Sequence, residues 1–274
     1  MGHYKHSNPL QRSFATLKQA WQCLRRSPRK IGCQPVIPDQ TGFRIFAGIV
    51  LFVILTLMVT ADAPLVLWAR EVVHYRPRLL AGFQTITHFG TSAWILTLSA
   101  AIGLLLSARN WRTRPRRERL RAIDLYADAN FVFFTVAISG TTASLIKNSI
   151  GRARPKMLEQ LGPHHFEIGA FEAIYASFPS GHSTTSGAVC MAMVLLLPRW
   201  WPFWVVLGLL GGVSRVAVGA HYPSDVLAGL AFGASFVLLA ARWLAQRRLM
   251  FTCGDSAVPM RRRLARNSRC DPTA

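Results

Sequence analysis

Three spaced groups of residues in the second half of the chain could handle phosphate. The first is Lys147-x6-Arg154-Pro155, the second Pro179-Ser180-Gly181-His182, and the third Ser214-Arg215-x5-His221-x3-Asp225. They supply three fixed cations, two histidines, a carboxylate and a Ser-Gly turn. A phosphoryl transition state needs charge neutralisation and positioning above all, and fixed cations can provide both. Ser180 is a natural helix N-cap, Gly181 allows close backbone approach, and free N–H groups at a helix start attract anions. A histidine near a carboxylate has its tautomer fixed and its basicity raised, which suits His221 beside Asp225 to nucleophilic work. His182, at the mouth of the anion site, can deliver a proton near neutral pH.

Each group also has a plainer reading. Lys and Arg often end membrane spans by reaching headgroups, and that is the expectation for Arg152 and Lys156. Seven residues make about two helical turns, so a continued helix would put Lys147 and Arg154 on one face; Gly151 interrupts that continuation and Pro155 stops it. Asp225 would be stabilised in the first turn of a helix in any case. An Arg inside an apolar span, such as Arg215, is costly and marks function by default.

These residues sit among apolar runs. The chain has 274 residues, 51% of them hydrophobic, with a formal charge of +20; its mean hydropathy is +0.27. Segregation reconciles the two, with apolar spans joined by basic loops. Six spans are expected near 45–61, 92–108, 122–146, 183–197, 201–219 and 226–244. Arg and Lys cluster before the first span, after the second and after the last. Positive-inside then puts both termini in the cytoplasm and all three groups on the opposite face. Basic blocks that flank spans argue against nucleic-acid binding. Five cysteines without CxxC pairing give no disulfide framework.

Around this core, residues 1–42 read as a basic cytosolic segment, 43–246 as the membrane domain and 247–274 as a basic cytosolic tail, disordered by composition. Leu10, Phe14, Leu17, Trp21 and Leu24 repeat at helical spacing and suggest an amphipathic helix on an anionic leaflet. Residues 60–63 look a little like a signal-peptidase site, but the charged segment ahead is too long, so an uncleaved anchor is expected. Segment 64–75 is too short to span and should lie along the interface. His164 and His165, near Glu167 and Glu172, belong to an entrance or surface loop in preference to a metal site. Asp124 and Asp128 sit at the start of the third span, where helix-dipole and interfacial roles are expected. Gly208, Gly211 and Gly212, with the small residues 183–187, suit close helix packing.

The three groups match the signature motifs of the type 2 phosphatidic acid phosphatase (PAP2) superfamily, and the chain resembles that family over roughly 122–244. The resemblance implies an all-α, polytopic membrane protein, a six-helix bundle of PAP2/haloperoxidase-like type. It implies a metal-independent phosphatase without cofactor, acting on a lipid phosphate or diphosphate at a bilayer. In that reading His221 attacks phosphorus, Asp225 holds its other ring nitrogen and His182 protonates the leaving oxygen. Lys147, Arg154, Ser180, Gly181 and Arg215 bind the phosphate, and no metal ligand is expected. Phosphatidate, phosphatidylglycerol phosphate, undecaprenyl diphosphate and lipid A phosphate are the family's candidate substrates, with transfer to a second lipid as the alternative outcome. The expected location is a bacterial inner membrane with the site facing the periplasm; oligomeric state has no signature.

Overall fold

The computed structural model describes residues 40–111, 113–252 and 258–264. It is mostly helical. The long helices are α1 (Gln40–Thr60), α2 (Asp62–Ala69), α3 (Pro77–Phe89), α4 (Ser92–Ala108), α5 (Arg116–Ile150), α6 (Gly181–Leu196), α7 (Trp201–Ala217) and α8 (Pro223–Gln246). Several of these sequences are rich in β-branched residues, yet they are helical, because a segment in hydrocarbon must satisfy its own backbone. Their outer faces carry large exposed apolar side chains, including Ile45, Ile49, Phe52, Val59, Leu104 and Leu105. An apolar exterior of this kind fits a lipid solvent better than water.

Among the described residues, five helical stretches are long and apolar enough to cross a membrane: Thr41–Thr60, Pro77–Ala108, Arg116–Ile150, Pro198–Ala217 and Pro223–Gln246. The expected span at 183–197 corresponds to α6, which has 16 residues. At 1.5 Å per residue it is about 24 Å long. It lies between other helices, and its first six side chains from Ser183 are buried. Helix α3 falls outside every expected span. Segment 64–75 folds as α2 and a wide turn at Arg70–His74; Val66, Ala69 and Val73 are buried, while Leu65 and Trp68 face outward.

The small residues set how tightly α6 packs. A Cβ added at Gly233 of α8 would lie 2.1 Å from the Thr184 carbonyl oxygen, and one at Gly187 would lie 2.3 Å from that of Leu230. Across the other face, a Cβ at Gly211 of α7 would lie 2.5 Å from Ser186 Oγ. Glycine is therefore required for this approach, as expected for small-residue helix faces.

In keeping with the break expected at Gly151, Lys147 and Arg154 do not share a helical face. Helix α5 ends at Ile150, and Gly151 takes a left-handed φ of +67° with its N–H bonded to the Lys147 carbonyl. The chain then runs extended, and the loop folds back on it: Glu167 N–H donates to Gly151 O (2.8 Å), Ala153 N–H to His165 O (3.0 Å) and Ser177 N–H to Arg152 O (3.1 Å). The tail is a correction, because its described part is ordered. Phe251–Thr252 pairs antiparallel with Met260–Arg261. Phe251 is buried against Phe131, and Arg261 Nε donates to Asp128 Oδ1 at 2.7 Å. Arg263 also pairs with Asp128, and Leu264 N–H donates to Asp124. The two aspartates of α5 thus hold the returning tail. The amphipathic pattern at 10–24 lies outside the described residues.

Candidate active site

Four elements bring the charged residues together. The end of α5 and the loop after it carry Lys147, Arg152 and Arg154. Helix α6 begins at Gly181, capped by Ser180, whose Oγ accepts from Ser183 N–H at 3.4 Å and from Ser183 Oγ–H at 2.9 Å. The end of α7 carries Arg215. The turn 218–222 and the start of α8 carry His221 and Asp225. Backbone links pin these pieces together: Ser180 N–H donates to Asp225 O (3.1 Å), and His221 N–H to Arg215 O (3.3 Å).

His221 is buried. Its Nδ1 lies 2.9 Å from the carbonyl oxygen of Ser177. A carbonyl can only accept, so Nδ1 carries the proton and Nε2 keeps its lone pair. Asp225 Oδ2 is 3.7 Å from the same Nδ1. Ser177 therefore fixes the tautomer directly, while the carboxylate stands behind as a nearby negative charge. Burial pushes the imidazole's pKa below its ordinary value; Asp225 opposes that, and Arg154 and Arg215 reinforce it.

Asp225 is fully buried and saturated. Oδ1 accepts from Arg152 Nη1 at 2.6 Å; Oδ2 accepts from Ser177 Oγ–H at 2.6 Å and Tyr222 N–H at 2.9 Å. Arg152 is completely buried, so it is not a headgroup anchor as its position at a span end suggested. Its guanidinium reaches inward because two buried carboxylates, Asp225 and Asp62, wait there.

Lys147, Arg154, Arg215 and His182 are half-buried. His182 lies within electrostatic reach of Arg215, His221, Lys147 and Arg154, which joins all three sequence groups in one place. Arg154 Nη2 donates to Ala176 O at 3.4 Å, and Arg215 Nη1 to Thr87 Oγ1 at 2.8 Å. The Nε atom of each is buried with no partner among the described residues. Burial pulls the Arg154 pKa down, and Asp225 pulls it up. Two guanidinium groups with spare buried donors can take an anion at the N-terminus of α6, where a Cβ on Gly181 would meet nothing within 4 Å.

Sequence reading missed Ser177, Ser224, Thr87 and Asp62. The first three are neutral hydroxyl residues without a spacing signal. Asp62 did carry one: a single carboxylate ending an apolar span, which is costly unless partnered.

The model of the PAP2 superfamily matches residues 128–249, which include all three groups. A lipid A 1-phosphatase of Rhizobium johnstonii is 40% identical over 185 residues, covering 68% of this chain and 76% of that protein. A decaprenylphosphoryl-5-phosphoribose phosphatase of Mycobacterium tuberculosis is 34% identical over 166 residues, covering 58% of this chain and 77% of that one. Among solved structures, a transmembrane PAP2 type phosphatidylglycerolphosphate phosphatase from Bacillus subtilis matches with a TM-score of 0.49 and 23% identity, covering 70% of this chain and 90% of its own.

Proposed function

The chain belongs to the PAP2 superfamily, and on that premise we propose that it is an integral-membrane phosphatase of lipid phosphates with His221 as nucleophile. The observation that carries the proposal is the oriented ring. Nδ1–H is committed to Ser177 O at 2.9 Å, which leaves Nε2 free beside two arginines with unpartnered buried donors.

In this reading the phosphate oxygens bind to Lys147, Arg154 and Arg215 and to the N–H groups at Ser180–Gly181. The Nε2 lone pair of His221 attacks phosphorus, and the bond to the lipid oxygen breaks. His182 gives its proton to that oxygen. Burial and then its neighbouring cations disfavour the protonated ring, and the arriving phosphate charge opposes the cations. Water then gives a proton to His182 and attacks phosphorus, the P–N bond breaks, and inorganic phosphate leaves. The three cations stabilise the charge that develops on the phosphoryl oxygens.

Six crossings suit the charge pattern, with α6 as a short crossing shielded by its neighbours. Both termini are then cytoplasmic, the site lies at the periplasmic side of the inner membrane, and the boundaries at 42 and 246 mark the membrane domain. The similarity to a lipid A 1-phosphatase makes lipid A the first substrate to try. Phosphate release in detergent from lipid A, phosphatidate, phosphatidylglycerol phosphate and undecaprenyl diphosphate tests the proposal. Release from at least one, undiminished by EDTA, is the expected result. Release from none of them, or activity abolished by EDTA and restored by a divalent cation, contradicts it.

A further inference from the structure

Resting on that reading of His221, we propose that Arg152 and Asp62 are a positioning pair that aims Asp225 at the nucleophile and sets the charge its ring experiences.

Arg152 uses every donor it has. Nη1 donates to Asp225 Oδ1 (2.6 Å) and Ser224 Oγ (2.8 Å), Nη2 to Asp62 Oδ2 (2.8 Å) and Pro163 O (2.9 Å), and Nε to Pro163 O (3.3 Å). The guanidinium also lies over the Tyr222 ring, 4.3 Å from its centroid. Such a planar fork fixes direction as well as charge, which a lysine cannot do. Asp62 closes the arrangement from the opposite side. Its Oδ1 accepts from Ser224 N–H at 2.9 Å, and its Oδ2 also takes the Ser224 hydroxyl. Arg152 holds Oδ1 of Asp225 while Ser177 Oγ–H and Tyr222 N–H hold Oδ2, and together they set Oδ2 3.7 Å from His221 Nδ1.

The charge count gives the pair its second task. Two carboxylates and one guanidinium, all fully buried, leave one net negative charge behind the ring. Attack by Nε2 makes the imidazole positive, so the net charge favours the transition state. Arg154 and Arg215 act on the same ring with the opposite sign, and His182, itself within reach of Lys147, is a further titratable group beside it. A buried ion triad is a poor device for stability alone, because desolvation can cancel the attraction. Its placement against a reacting group gives it a use.

Asp62→Asn and Arg152→Lys separate the two tasks. Each variant is checked for a monodisperse, cooperatively melting protein in detergent. Kinetics then use whichever lipid phosphate the wild type hydrolyses, across pH. Asp62→Asn removes a negative charge, so kcat should fall roughly 10- to 100-fold, and the acid limb of kcat/KM should move to lower pH by roughly one unit. Arg152→Lys keeps the charge and loses the fork, so kcat should fall with the limb in place and KM little changed. Nitrogen-15 NMR of the His221 ring in wild type and Asp62→Asn reads the same charge effect without turnover. It should titrate lower in the variant, whatever the substrate proves to be. Folded Asp62→Asn protein with wild-type kcat and unmoved His221 titration overturns the inference, and does so even if Arg152→Lys does not fold. Loss of the parent reading would look different: wild type inactive on every lipid phosphate, or His221→Ala fully active.

Discussion

At the residue scale, one hydrogen bond decides what His221 can do. Nδ1–H donates to a carbonyl, which can only accept, so the lone pair of the proposed nucleophile lies on Nε2 and needs no base to expose it. Burial holds the ring neutral below the ordinary imidazole range. The acid limb of kcat/KM in the free enzyme should therefore lie below about pH 6.5; a limb clearly above it would contradict the assignment. The sign for stability is the reverse. Unfolded His221 takes a proton near pH 6.5 while the folded ring resists it, so this residue destabilises the fold as pH falls through that range. A His221→Ala melting curve should flatten there relative to wild type. Arg215→Ala should lower kcat/KM by roughly 100-fold, the cost of losing one charge-stabilising donor at a transition state, as measured by steady-state phosphate release. Most charged members of the site were legible because type and spacing coincide: a Lys, two Arg, two His and an Asp at fixed intervals. Ser177 was not, since it contributes a backbone carbonyl and a lone hydroxyl, neither of which has a spacing signal. Arg152 was misread because its place at a span end suits a snorkelling side chain, and only the buried Asp62 and Asp225 draw it inward.

At the element scale, the site depends on how closely α6 approaches α7 and α8. Ser180 and His182 start α6, whereas His221 and Asp225 precede and open α8, so helix separation translates into separation of catalytic groups. Gly233→Ala would push its methyl against the Thr184 carbonyl. It should cost about 1–3 kcal/mol and depress kcat, read by thermal melting and turnover. Gly140→Ala in α5 meets nothing within 4 Å and should be neutral or slightly stabilising. Equal effects from both would refute the packing argument. The glycine pattern foretold tight packing. It did not reveal that α6 would be enclosed, because an apolar run reads alike whether it faces lipid or protein. The break at Gly151 was legible, and the left-handed turn it makes there leads the chain from α5 to the buried Arg152.

At the scale of the whole molecule, charge and apolar surface divide the chain into two ends. The phosphate-handling groups occupy one. The other holds Asp124 and Asp128, which grip the tail through Arg261, Arg263 and the Leu264 N–H. Composition suggested a disordered tail, since basic residues without periodicity have no evident partner; the partners were Asp128, 133 and 135 residues from Arg261 and Arg263, and Asp124, 137 residues from Arg261. Asp128→Ala should lower the melting temperature by several degrees, the effect of about 1–2 kcal/mol in a protein of this size. It should change KM little, because it acts far from the phosphate groups. Fusing a periplasm-dependent phosphatase reporter after Leu161 should give an active fusion, and one after Gln246 an inactive fusion. The reverse pattern would place the site in the cytosol.

The covalent step is the centre of the account. Rapid quenching of the enzyme with a phosphorus-32-labelled lipid phosphate should leave label on the protein that is acid-labile and alkali-stable, as phosphohistidine is. The label should map to the peptide containing His221, and it should be absent from folded His221→Ala, which should also release no phosphate. Wild-type levels of label or turnover in His221→Ala would contradict it.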